Sequence, residues 1–194
     1  FGGCSQYSMR DTRSQQCLAD GIGTLDSSDF YYQNGRAEVN ASSGWFFSGS
    51  EGGYVVSCTA DSNDASAFAL LSSAPASDPN KNMFFVNCIG DTSGSYNWNI
   101  SDLMNSYFTQ CWGSTQKSTA VNTFATGFVI SSLRCNGLFF NGCIAINNNS
   151  HGFHINDPGS TGPTNIVFNG CQFGSLSNGA NGNGRAGCGY GLYI

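Results

Sequence analysis

Charge is scarce in this sequence. Only 10% of its 194 residues are Asp, Glu, Lys or Arg, and 7 Lys and Arg stand against 12 Asp and Glu, for a net charge of −5. With no basic cluster to neutralise a phosphate backbone, nucleic acid is excluded as a partner. Long hydrophobic runs are also missing: none reaches the roughly 18 apolar residues that cross a bilayer as a helix, so no membrane insertion is expected. No signal-peptide pattern opens the chain. It begins at Phe1 and stops at Ile194 inside a strand-like motif. We read it as a segment of a longer polypeptide, with functional residues free to lie outside it. Proline is rare at 4 residues, histidine rarer at 2, and no CxxC or Cys/His cluster has metal-ligand spacing. No metal and no cofactor are expected.

What is there points to an all-β chain. Aromatics make up 13%, with 15 Phe, and 26 Gly accompany many Ser and Asn. Few helix formers sit in periodic order, and β-formers between turn residues mark strands rather than disorder.

The strongest signal is an internal repeat. Four segments pair an amide with a cysteine: Phe84–Cys88, Tyr107–Cys111, Phe139–Cys143 and Val167–Cys171. Their amides fall at 87, 110, 141 and 169. A second motif, Gly-apolar-x-Ile, occurs at Gly127–Ile130 and Gly152–Ile155 and returns at Gly191–Ile194. Strand, polar corner, strand is one coil of a parallel β-helix, in which equivalent residues stack at roughly the 4.8 Å strand spacing. Asn or Gln at a repeated corner can form an amide ladder. An antiparallel sandwich also has short strands between Gly-rich turns, but hairpins do not require repeated residue identity.

This pattern predicts coils over residues 54–194, behind an irregular lead-in or cap over 1–53 with short strands. Cys58 stands as an earlier member of the cysteine column. The stretch Asp91–Asn105 reads as a long excursion between coils. Nine cysteines, an odd number, do not look like a disulfide framework. Reduced and buried is the expectation, as for a protein assembled in a reducing cytoplasm.

Hydrolysis of a glycosidic bond needs two carboxylates, about 5–5.5 Å apart for retention or roughly 6.5–9.5 Å for inversion. Counting forward from the cysteines, Asp91 meets Ser114, Ile146 and Gly174, so no ladder of acids is expected. The candidate catalytic acids are Asp91, Asp102 and Asp157. Asp157 also suits an ordinary Asn-Asp-Pro-Gly turn. Tyr96, Trp98 and Trp112 are candidate sugar-stacking residues, since amphipathic rings suit a face that is apolar in the middle and wet at the edge. His151 and His154 are candidate sugar contacts.

The amide–Cys coils with Gly-apolar-x-Ile strands resemble the pectate-lyase-like right-handed parallel β-helix of bacteriophage tailspikes and capsule depolymerases. The resemblance covers roughly 54–194 and carries no residue-specific catalytic motif. It implies a homotrimeric virion protein, attached to other virion tail proteins, that binds a bacterial capsule or lipopolysaccharide and in many cases cleaves it. Cys143–Ile146 and Ser150–Ile155 are also similar to polygalacturonase motifs. Asn141-Gly142 stands where that family's aspartates belong, so the assignment is rejected. Hydrolase is favoured over lyase, enzyme status is open, and the alternative is a structural or adhesive β-helix such as a fibre shaft or secreted adhesin.

Overall fold

The computed structural model describes residues 2–72, 78–116, 126–132, 134–148, 150–156, 162–174 and 192–193. The described residues wind through seven coils, each laying one strand in each of three parallel sheets. The first sheet takes Ser5–Arg10, Ser28–Gln33, Tyr54–Val56, Phe84–Val86 (with Asn80–Lys81), Leu103–Thr109, Asn136–Asn141 and Thr164–Asn169. The second takes Arg13–Gln15, Arg36–Glu38, Thr59–Asp61, Ile89–Ser93, Trp112–Gln116, Ile144–Ala145 and Gln172–Phe173. The third takes Ile22–Leu25, Trp45–Ser48, Phe68–Leu70, Tyr96–Ile100, Thr126–Ile130, Phe153–Ile155 and Leu192–Tyr193. Each coil is a strand–crossover–parallel-strand unit, the kind of connection that is right-handed. The chain is a right-handed parallel β-helix. No helix among the described residues is long and apolar enough to cross a membrane.

Inside, large and small residues face one another in columns. The third sheet points Trp45, Phe68, Trp98, Phe128 and Phe153 inward, each fully buried and stacked nearly parallel on the next. Opposite them the second sheet offers Ala37, Ala60, Gly90, Gly113 and Ala145, one per coil. The match is tight: a Cβ on Gly113 would sit 2.9 Å from the Gly127 carbonyl oxygen and 3.0 Å from the Phe128 ring. A third column, Tyr32, Val55, Phe85, Phe108 and Phe140, closes the core from the first sheet. Burying each such side chain contributes about 1.5–3 kcal/mol.

The cysteine column is confirmed and extended. Cys58, Cys88, Cys111 and Cys143 are fully buried at one position of successive coils, with Cys171 half-buried at the far end. The amides next to them divide into two positions. Asn87 and Gln110 have φ of 52° and 53° and share their register with Gly142 and Gly170, at 62° and 60°. The corner requires left-handed backbone, and Asn and Gly are among the residues that adopt it readily. Asn141 and Asn169 lie one residue earlier and do form a rung, Asn169 Nδ2 donating to Asn141 Oδ1 at 3.1 Å. The better amide ladder is buried at another corner, where Asn40 Nδ2 donates to Asn63 Oδ1 at 2.8 Å.

Two expectations need correction. Residues 1–53 are not an irregular lead-in: Ser5–Arg10 pairs with Ser28–Gln33, and Arg36–Glu38 with Thr59–Asp61, in the same sheets as the rest. Their cysteine-column positions are Thr12 and Gly35, which removed the marker residue. Nor is Asp91–Asn105 an excursion, since it runs through all three sheets. Its polar look comes partly from Asn97, buried and donating to the Ser114 carbonyl at 2.8 Å.

Candidate functional site

The outer face of the second sheet gathers the acids. Glu38 lies opposite Asp61, and Asp61 opposite Asp91, on three successive coils. This is the carboxylate ladder that counting forward from Cys88 did not find. Counting three residues on from Cys58 reaches Asp61; reaching Glu38 requires knowing that Gly35 holds the same position. Strand spacing sets neighbours at about 4.8 Å and next-but-one coils at about 10 Å.

The three acids are not equivalent. Glu38 is 5% exposed, and its carboxylate receives Arg13 Nε at 3.1 Å and Nη2 at 2.6 Å, with Arg36 Nε on its other oxygen. Two guanidiniums hold it in place. Asp61 and Asp91 are half-exposed, and each takes one hydroxyl hydrogen bond to Oδ1 from the next residue, Ser62 at 3.0 Å and Thr92 at 3.1 Å. Ser62 and Thr92 share left-handed φ of 57° and 47°, which turns both hydroxyls back onto their neighbours.

Two residues before Asp91 on the same strand, Ile89 faces outward, in register with Trp112 and Ile144. Trp112 is 39% exposed. The other candidates fall elsewhere. Trp98, expected on a loop, is fully buried between the rings of Phe68 and Phe128 at 4.1 and 5.4 Å, with its Nε1 donating to the Trp112 carbonyl at 2.9 Å. It is core, because the third sheet turns that position inward. Asp102 is 1% exposed, with Oδ1 3.1 Å from Arg134 Nε. Burial pushes its carboxyl above the usual range, and Arg134 draws it back. It is an internal ion-pair partner, out of reach of a polymer. Tyr96 is half-buried at the start of a third-sheet strand.

His151 and His154 come together, rings 5.1 Å apart, and burial holds both below the ordinary imidazole value. His154 lies in register with Val129 on the third sheet, away from the acid column. Asp157 lies outside the described residues. Among the described residues no group of three or more His, Cys, Asp and Glu could hold a metal ion.

The other exposed feature is a ring column on the first sheet. Tyr54, Phe84, Tyr107 and Phe139 stack face to face at 4.7, 5.1 and 4.9 Å, with planes within 11° of parallel. Val167 continues the column. Each ring covers its neighbour's face, so the column offers edges rather than the faces on which sugar rings stack.

No protein-family model matches this chain, and no curated protein does. Solved structures do. Pectate lyase Pel9A superposes with a TM-score of 0.69 at 17% identity, over 92% of this chain and 46% of its own. The A-module of the Azotobacter vinelandii mannuronan C-5 epimerase AlgE6 gives 0.71 at 9%, over 89% and 58%. The Dettilon tailspike protein gives 0.64 at 15%, over 98% and 38%. All are right-handed parallel β-helix proteins. The likeness is one of fold, and the chain spans from about two-fifths to three-fifths of the length of each.

Proposed function

We propose that this chain is part of a tailspike-type virion protein whose second-sheet face binds a bacterial capsule or lipopolysaccharide chain and hydrolyses it. The observation that carries the reading is the pairing of Asp61 with Asp91 on neighbouring coils, beside exposed Trp112. Carboxylates on neighbouring rungs lie close to the roughly 5–5.5 Å of a retaining pair. One acid attacks the anomeric carbon while the other protonates the leaving oxygen; the second then activates water to release the sugar. Glu38, clamped by Arg13 and Arg36, stands one coil before Asp61 in the acid column. A polysaccharide lying along the solenoid crosses the coils and meets these groups in succession. The fold shared with a tailspike and with polysaccharide-acting proteins supports the substrate class.

The column Tyr54, Phe84, Tyr107, Phe139 and Val167, exposed except at half-buried Phe84, supports assembly as a homotrimer, since a contiguous apolar stripe on a surface marks a protein contact. The rest of the virion tail would anchor that trimer.

The test is digestion of host-strain capsule and lipopolysaccharide by the full-length protein, read by mass spectrometry. Saturated oligosaccharides, lost in Asp61→Asn and in Asp91→Asn with binding retained, are expected. Unsaturated ends would replace hydrolysis by elimination. Binding without cleavage would leave the alternative of a non-enzymatic shaft or adhesin, and absence of binding would overturn the reading.

A further inference from the structure

One corner residue beside the acid column has a side chain that does not suit its backbone. Glu38, Asp61 and Asp91 are each followed by a left-handed residue, Val39, Ser62 and Thr92, with φ of 55°, 57° and 47°. Gln16, at 57°, precedes them in the same column. The N–H groups of Gln16, Val39 and Ser62 donate to the carbonyls of Glu38, Asp61 and Asp91 at 3.2, 3.0 and 3.2 Å, which keeps the corner in step from coil to coil. Among the described residues, every other non-glycine residue with left-handed φ is Asp, Asn, Gln, Ser or Thr. Val39 is apolar and branched at Cβ, and a branched side chain strains this backbone more than Asn or Gly would.

Packing does not offset that strain. Val39 is 46% exposed and stands outside the hydrophobic core, with a coil stacked on either side of it. Hydrogen bonding does not offset it either. Ser62 and Thr92 turn their hydroxyls onto Asp61 and Asp91 at 3.0 and 3.1 Å, but Val39 carries two methyl groups in that place, and Arg13 and Arg36 hold Glu38 instead. The shared register sets the Val39 isopropyl group beside the Glu38 carboxylate, one coil, about 4.8 Å, before Ser62. Strained backbone that the interior does not explain marks a position used for function.

We propose that Val39 is a specificity-determining residue that receives a methyl group of the polysaccharide. The inference rests on the reading of the second-sheet face as the polysaccharide-binding face. A chain laid along the acid column passes Val39 one coil before Asp61 and two before Asp91, so the methyl group belongs to a sugar next to the one being cleaved. Polysaccharides are covered in hydroxyls, and their compact apolar projections are the C6 methyl of a 6-deoxyhexose and the methyl of an O-acetyl ester. Both present the same chemistry to an isopropyl group. A sugar with a hydroxyl at that point would set it against two methyls with no partner, which costs affinity.

The experiment compares the full-length protein with Val39→Asn and Val39→Thr, by thermal unfolding and by calorimetric binding to host-strain capsule and lipopolysaccharide. Each polysaccharide is used before and after mild alkali, which strips O-acetyl esters. Val39→Asn relieves the strain and should raise the melting temperature by about 2 °C while weakening binding about tenfold. Val39→Thr keeps the branching, exchanges one methyl for a hydroxyl, and should bind as weakly at an unchanged melting temperature. A fall in the melting temperature of Val39→Asn would make the residue structural and overturn the proposal, as would unweakened binding by both variants. If alkali weakens binding by the unsubstituted protein and removes its advantage over the variants, the methyl is an acetyl; if the advantage survives alkali, it is the C6 methyl of a deoxyhexose. Asp61→Asn separates this inference from the reading beneath it. Cleavage lost there, with binding by the Val39 variants intact, refutes the role of Val39 alone, whereas no binding by the unsubstituted protein refutes both.

Discussion

Asp61 and Asp91 face each other across neighbouring coils, and the hydroxyl of the following residue holds the Oδ1 of each. That shared arrangement sets this pair apart from Glu38, whose charge is already consumed by two arginines.

If the two hydroxyls orient the acids, removing one should slow catalysis while leaving binding intact. Ser62→Ala is expected to lower the hydrolysis rate about tenfold, because a carboxylate free to rotate spends less time in the productive geometry. Affinity for the polysaccharide should hold, measured by calorimetry on an oligosaccharide.

The left-handed corner makes a second expectation that depends on backbone alone. Gly142 has φ of 62°, and the nearest atom to an added Cβ is Gln110 Cγ at an unstrained 3.6 Å. Gly142→Ala should therefore cost about 1–2 kcal/mol through conformation without a clash. Gly142→Asn should cost less, as Asn87 at the equivalent corner suggests. Urea unfolding of both variants checks the order.

The two tryptophans should respond in opposite ways. Trp98→Ala empties a fully buried site and is expected to cost about 3–5 kcal/mol. Trp112→Ala, on the exposed face, should change stability by less than about 1 kcal/mol and weaken carbohydrate binding instead. Parallel denaturation and binding measurements separate them.

Asp102 supplies a pH dependence with a definite sign. Its folded-state pKa is raised above the ordinary 3.8, chiefly by burial. The native state thus holds that proton more tightly, so the group's contribution is fully present below about pH 3.8 and is lost as pH rises through the folded value. Relative to Asp102→Asn, the native protein should lose stability over that rise. Arg134→Met removes the compensating guanidinium and should steepen the loss and extend it to higher pH. Thermal unfolding between pH 3.5 and pH 7, a range of about 3.5 units around this shift, checks both.

Much of the fold was legible because stacking demands identity. Cysteine recurs where a coil turns inward behind a tight corner, and Gly-Phe-x-Ile recurs because Phe128 and Phe153 stack in one column. The first two coils were hidden because stacking at that corner requires only something small, and Thr12 and Gly35 satisfy it as well as cysteine. The site was half legible. Asp91 stood out beside its cysteine, but its partner, Asp61, lies one coil back at the same offset from Cys58, a position the forward count did not reach. Trp98 and Asp102 misled because the stretch Asn97 to Asp102 turns polar groups inward, where Asn97 finds the Ser114 carbonyl and Asp102 finds the charge of Arg134.

The pairing of bulky rings on one wall with alanine and glycine on the other gives each coil the same cross-section, whatever length of chain it uses between corners. The interval from Phe84 to Tyr107 is shorter than that from Tyr107 to Phe139, yet both pairs meet in register. Length added outside the walls therefore leaves the interior unaltered. The molecule can vary what it displays to the outside while inheriting its scaffold unchanged.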